Sequence, residues 1–136
     1  MAVTYTKTAF PKIEEKLYKL LNNEFPSIYI SSEFVEQKTD ESIRIHLASS
    51  ENILTTNIFE RRQYNVELFH YYNDVDSIQR TEYRIDRLKV LLNSNQSLDN
   101  YWYNLQVPSI EYDLDTDREN FSETKINITL ENHGSV

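Results

Sequence analysis

The densest group of side chains able to do chemistry is Asp113, Asp115 and Asp117, three aspartates at alternate positions. A calcium loop begins this way, because a hard cation needs several carboxylate oxygens converging from one tight turn. The pattern then departs from that template. Its sixth position needs a glycine and holds Arg118; its twelfth needs a bidentate glutamate and holds Thr124. The run therefore reads as a solvated acidic loop over residues 113–120 and not as a dedicated metal site. Three histidines, His46, His70 and His133, are the other candidate ligands. His46 and His70 fall on expected strands and could be neighbours in a sheet, where two imidazoles and a carboxylate can hold zinc. No short ligand spacing and no H-E-x-x-H supports that, so both are read as ordinary strand residues. Adjacent carboxylates such as Glu14 and Glu15 are read as surface, since acid–base work needs a cleft that separates two pKa values.

Other chemistries are excluded by what the chain lacks. It has no cysteine, which removes disulfides, thiolate ligands and a cysteine nucleophile, and which fits assembly in a reducing cytoplasm. Its one glycine is Gly134. Phosphate-cradling loops, dinucleotide fingerprints and nucleophile elbows each need several glycines for close backbone approach. No catalytic residue, cofactor or metal is expected. Asn120-Phe-Ser122 and Asn127-Ile-Thr129 match the glycosylation sequon, but the N-terminus has no basic segment followed by an apolar stretch, so no secretory signal is expected. The formal net charge is −8, which disfavours a nucleic-acid grip and favours solubility. It also suits a passage through which DNA slides without sticking.

The elements follow from periodicity. The 136 residues suit one domain, with flexible ends at about 1–7 and 131–136. Thr8 and Pro11 open a first helix whose apolar stripe is Ile13, Leu17, Leu20 and Leu21, ending near Asn22 and Asn23. Residues 27–31 read as a short strand. Residues 42–48 alternate, with Ile43, Ile45 and Leu47 on one side and Arg44 and His46 on the other. Residues 61–72 form the strongest strand. Asp74 or Asp76 caps a second helix running to about Leu92, with Ile78, Ile85, Leu88, Leu91 and Leu92 inward. Residues 101–107 and 124–130 supply two more strands. The expected class is α+β: a mainly antiparallel sheet with two helices packed on one face, in the order α-β-β-β-α-β-β.

The remaining signal concerns contacts. Residues 48–60 form a long loop or a projecting hairpin carrying Ile53, Leu54, Ile58 and Phe59, apolar content that argues for a contact surface. Arg61 and Arg62 could bridge to an acidic neighbouring subunit or simply be a solvated strand end. If Tyr101 and Tyr103 face the core, Trp102 faces outward, either as an interface anchor or packed under the chain's own loops.

The opening amphipathic helix, the strand Gln63-Tyr-Asn-Val-Glu-Leu-Phe-His-Tyr-Tyr72, the helix ending Arg87-Leu-Lys-Val-Leu-Leu92 and two closing strands resemble the tail terminator, or tail completion, proteins of long-tailed bacteriophages. The resemblance spans residues 10–130. It implies a ring, usually of six subunits, at the head-proximal end of the tail tube. Such a ring stops tube polymerisation, docks the head connector and lets DNA pass through its lumen without specific binding. It also implies a virion location after assembly in the host cytoplasm, with tail tube protein and head–tail connector as partners. Residues 48–60 and the acidic 113–120 segment are then the candidate contacts to neighbours or lumen. A head–tail adaptor, neck or baseplate component is the alternative. A cellular protein-binding adaptor and a small enzyme stand further off.

Overall fold

Ile13, Leu17 and Leu21 are spaced one helical turn apart, and in the computed structural model of the chain all three lie fully buried on one face of α1 (Ala9–Glu24). The structure describes residues 9–31, 41–56, 60–73, 77–98, 101–113 and 121–134. The amide of Phe25 still donates to the Leu21 carbonyl at 2.8 Å, and Pro26 then disfavours a further helical residue. The helix therefore ends one residue past the asparagines expected to close it. In α2 (Ser77–Asn93), Thr81, Ile85, Leu88 and Leu92 repeat at helical spacing and are all buried. Asn95 closes that helix by donating from its side chain to the Leu91 carbonyl at 2.8 Å. The expected caps Thr8, Asp74 and Asp76 lie outside the described residues.

The strands are β1 (Tyr29–Ser31), β2 (Glu41–Thr55), β3 (Glu60–Asn73), β4 (Tyr103–Asp113) and β5 (Phe121–Gly134). Among the described residues they form one five-stranded sheet in the order β1-β2-β3-β5-β4. The element order is the expected α-β-β-β-α-β-β, and the sheet is mostly antiparallel. One junction differs from expectation: β1 runs parallel to β2, with Ile30 opposite Ile43, where three successive hairpin strands were anticipated.

Alternation decides which face is covered. Ile43 and Ile45 of β2, Val66 and Leu68 of β3, and Ile126, Ile128 and Leu130 of β5 point to one side and are buried in one cluster with the apolar stripes of α1 and α2. Both helices thus lie on one face. At roughly 25 cal/mol per Å² of apolar surface, this shared core is the main favourable term for the fold. The opposite sheet face carries Arg44, His46, Glu67, Phe69, Lys125 and Asn127, half-buried by their neighbours and covered by no described helix.

Two expectations about strand ends are corrected. The chain does not fray at Glu131: β5 continues to Gly134 and pairs residue for residue with β3 up to Glu60. Trp102 is not an outward anchor. It is fully buried, and its indole N–H donates to the Asn95 carbonyl at 2.7 Å. The cause is a break in alternation. Asn104 adopts a left-handed backbone (φ 52°), and the β4–β5 register shifts between Tyr103 and Gln106. Asparagine tolerates that conformation better than most residues. The inserted residue lets Trp102 and Leu105, three apart, both face the core.

Candidate assembly surface

Beyond Leu47 the β2 strand leaves the core but keeps its pairing. A register shift at Ala48 is followed by Ser49 opposite Asn65, Glu51 opposite Gln63 and Asn52 opposite Arg62. A second shift at Ile53 puts Leu54 opposite Arg61 and Thr55 opposite Glu60. The segment read as a loop or projecting hairpin is the hairpin. With β5 alongside, the projection is a three-stranded tip built from the ends of β2, β3 and β5. Ile58 and Phe59 lie outside the described residues.

Every residue from 48 to 56 is exposed. Ile53 is 42% and Leu54 51% exposed, which is unusual for two adjacent aliphatic residues on a strand. The outer edge is open as well. β1 pairs only with Ser42, Ile43 and Arg44, so past Arg44 that edge of β2 has no strand partner among the described residues. Unpaired amides and carbonyls on a strand edge are a template for another chain. Apart from the two bulges the edge is unguarded: residues 45–55 contain neither lysine nor proline. The opposite edge, β4, carries Pro108, which cannot donate to an incoming strand.

Side-chain hydrogen bonds cross the strands of the tip. The Nε and Nη2 of Arg61 donate to Glu131 at 3.1 and 2.8 Å. Arg62 donates to Glu60 at 2.7 Å and to the Ser50 hydroxyl at 3.3 Å. The Asn65 side chain donates to Ser49 at 2.7 Å, and the Asn52 amide donates to the Thr55 hydroxyl. Both arginines, read as either a bridge to an acidic neighbour or a solvated strand end, are engaged by carboxylates of their own chain. Burial pushes the Tyr64 phenol above its usual pKa; Arg62 opposes this and Glu60 adds to it. Glu131 was missed by the sequence reading, because a polar run after Leu130 looked like a frayed end. The apolar alternation stops at Leu130, so the sequence carried no signal for the polar continuation of β5, in which the Asn132 side chain donates to the Tyr101 carbonyl at 2.8 Å.

The other expected sites separate. Of the aspartates, Asp113 ends β4, while Asp115 and Asp117 lie outside the described residues. His70 is opposite Ile43 and His46 is opposite Glu67, so the two histidines are not cross-strand partners. His46 lies 3.9 Å from Glu67. Among the described residues no three potential ligands gather as a metal site. His70 is fully buried, and its Nε2 meets Glu41 at 2.6 Å; Arg84 of α2 donates to the same carboxylate oxygen at 3.2 Å. This group ties the start of β2 to α2. The His70 Nδ1 and the Thr124 hydroxyl, on residues paired across β3 and β5, have no hydrogen-bond partner among the described residues. The imidazole is fully buried while Glu41 and Arg84 keep partial exposure, and the group reads as a structural clasp between sheet and helix.

The uncovered sheet face satisfies itself. Lys125 lies 3.0 Å from Glu67 and 3.1 Å from Glu111, and Asn127 donates to Glu111 at 3.0 Å. The Asn127 hydrogen bond, followed by Lys125, lowers the Glu111 pKa, and the two carboxylates raise that of Lys125. At the other end of this face Arg44 stands 5.5 Å over the Phe69 ring. No protein-family model matches the chain, and no curated protein matches it in sequence.

Proposed function

We propose that this chain is a structural subunit that assembles into a ring at the head-proximal end of a phage tail, as tail terminator proteins do. In that reading the ring ends tube polymerisation, docks the head connector and passes DNA through its lumen. The partners are further copies of the chain, the tail tube protein and the connector, and the finished location is the virion. The observation that supports an assembly role is the projecting tip. It is an internally hydrogen-bonded element that exposes Ile53, Leu54 and a strand edge with no partner among the described residues. A surface of that kind is normally covered by another chain.

The test is light-scattering mass over a range of concentrations, with and without tail tube protein. The expected result is one closed species of about six chains that loses affinity when Ile53→Asp is introduced, the closure keeping a head-to-tail contact from running on as a filament. A monomer under every condition, with no binding to tube ends, overturns the proposal.

A further inference from the structure

Beside the clasp of His70, Glu41 and Arg84, a cavity opens on the first turns of α2. It holds about 510 Å³ and is lined by Tyr72, Gln79, Arg80, Tyr83 and Arg84, with walls more polar than apolar. Arg80 and Arg84 are four residues apart, so both guanidinium groups rise from one helix face. Each is held in place. Arg80 donates to the hydroxyl of the buried Tyr72 at 3.3 Å. Arg84 meets Glu41 through its Nε at 3.2 Å and lies 5.5 Å over the Phe25 ring. A guanidinium carries five N–H donors, so the bond to Glu41 leaves most of them unused. The terminal nitrogens of Arg84 meet no acceptor among the described residues. The Glu41 carboxylate is itself shared with His70 at 2.6 Å.

We propose that this cavity binds the phosphate group of a small phosphate monoester. The donor set selects the chemistry. Two arginine forks, the Gln79 amide and the Tyr72 hydroxyl line one space, and each can donate to an oxyanion. A phosphate offers three free oxygens and a second charge, where a planar carboxylate offers two oxygens and one charge. Guanidinium groups match phosphate oxygens pairwise, and groups already held in position lose little freedom on binding. The cavity is larger than one phosphate, and the Tyr83 ring, 67% exposed, supplies a wall for the organic remainder. In a chain of net charge −8 this pairing of arginines at a cavity is a local exception to an acidic surface. The site stands apart from the assembly reading and does not depend on it.

The test is isothermal titration of the full-length protein with inorganic phosphate and with phenyl phosphate. Chloride holds the ionic strength constant, because exposed charges are screened by salt. The expected result is saturable one-site binding, tighter for phenyl phosphate. Arg80→Gln and Arg84→Lys should each weaken it about tenfold or more, the second because lysine keeps the charge beside Glu41 and loses the fork. Lys89→Gln, near the other end of α2, should leave the affinity unchanged. Urea midpoints check that each variant is folded; should Arg84→Lys fail that check, Arg80→Gln decides, since Arg80 is exposed. Absence of saturable binding overturns the proposal, and so does an affinity unchanged in Arg80→Gln. Citrate binding as tightly as phosphate also overturns it, since that result describes an unselective cationic patch.

Discussion

Replacing Trp102 by alanine tests whether the bulge at Asn104 redirects β4 as described. The indole is fully buried among Leu98, Leu105 and the α2 stripe, and it caps the Asn95 carbonyl. Deleting a buried tryptophan costs about 3–5 kcal/mol through lost transfer energy and the cavity left behind. For a chain of this size each kcal/mol shifts the melting temperature by about 3–5 °C, so Trp102→Ala is expected to melt about 10–20 °C lower. Trp102→Phe keeps most of the apolar ring and loses the N–H, leaving the carbonyl short of a donor at about 1 kcal/mol. The assay is urea unfolding followed by far-ultraviolet circular dichroism, since the chain's one tryptophan is lost in both variants. In the unsubstituted protein the same residue should give blue-shifted emission shielded from acrylamide. A Trp102→Ala variant within about 0.5 kcal/mol of the parent refutes the reasoning, because surface substitutions behave that way. If that variant also assembled poorly, the outward anchor would be restored.

Further outcomes follow from the same contacts. Thr124→Val replaces a buried hydroxyl that has no partner among the described residues by a methyl of like shape, and should leave stability unchanged or raise it by up to about 1 kcal/mol in urea unfolding. Glu41→Gln weakens the clasp holding His70 and Arg84 and should cost about 1–3 kcal/mol, with strong non-additivity when combined with His70→Leu in a double-mutant cycle. Ile53→Asp should change stability by no more than about 0.5 kcal/mol, because the side chain lies outside the core, and under the proposed assembly role it should abolish self-association by light scattering. Glu111 has its folded pKa below the ordinary carboxylate value. Its contribution is therefore complete above that ordinary value and is lost as pH falls through the folded one. Lys125→Met should flatten this acid limb when urea midpoints are compared between about pH 6 and about pH 3.

The helices were legible because their apolar residues recur at a period that few alternatives share. Ile13, Leu17 and Leu21, and Ile85, Leu88 and Leu92, all reach the core that their spacing implied. The central strands were legible for the same reason at a period of two. Three features were hidden. The parallel β1–β2 pairing depends on where a nine-residue connection leads, and side-chain alternation is the same in parallel and antiparallel neighbours. The polar outer halves of β2 and β5 are stabilised by cross-strand hydrogen bonds between side chains, which leave no hydrophobic signature. The bulge in β4 inverted the facing of Trp102, since one inserted residue moves every later side chain to the other face. Within the candidate surface, Ile53 and Leu54 could be named from the sequence, whereas Glu131 needed the fold.

The strand order has a consequence for how the molecule is made. β5 is synthesised after β4 yet lies between β3 and β4, paired along its length with β3 from Glu60 opposite Gly134 to Asn73 opposite Phe121. Until residues 121–134 leave the ribosome, β3 and β4 both present bare edges toward a gap that only β5 can fill. Such long-range pairing is slow to form, because distant segments must meet before any of their contacts can stabilise the chain. The nascent protein therefore passes through a stage with more open strand edges than the finished one. During that stage, insertion of a neighbouring chain's β5 into the gap competes with insertion of its own, so the rate of synthesis should influence how much protein reaches the folded form.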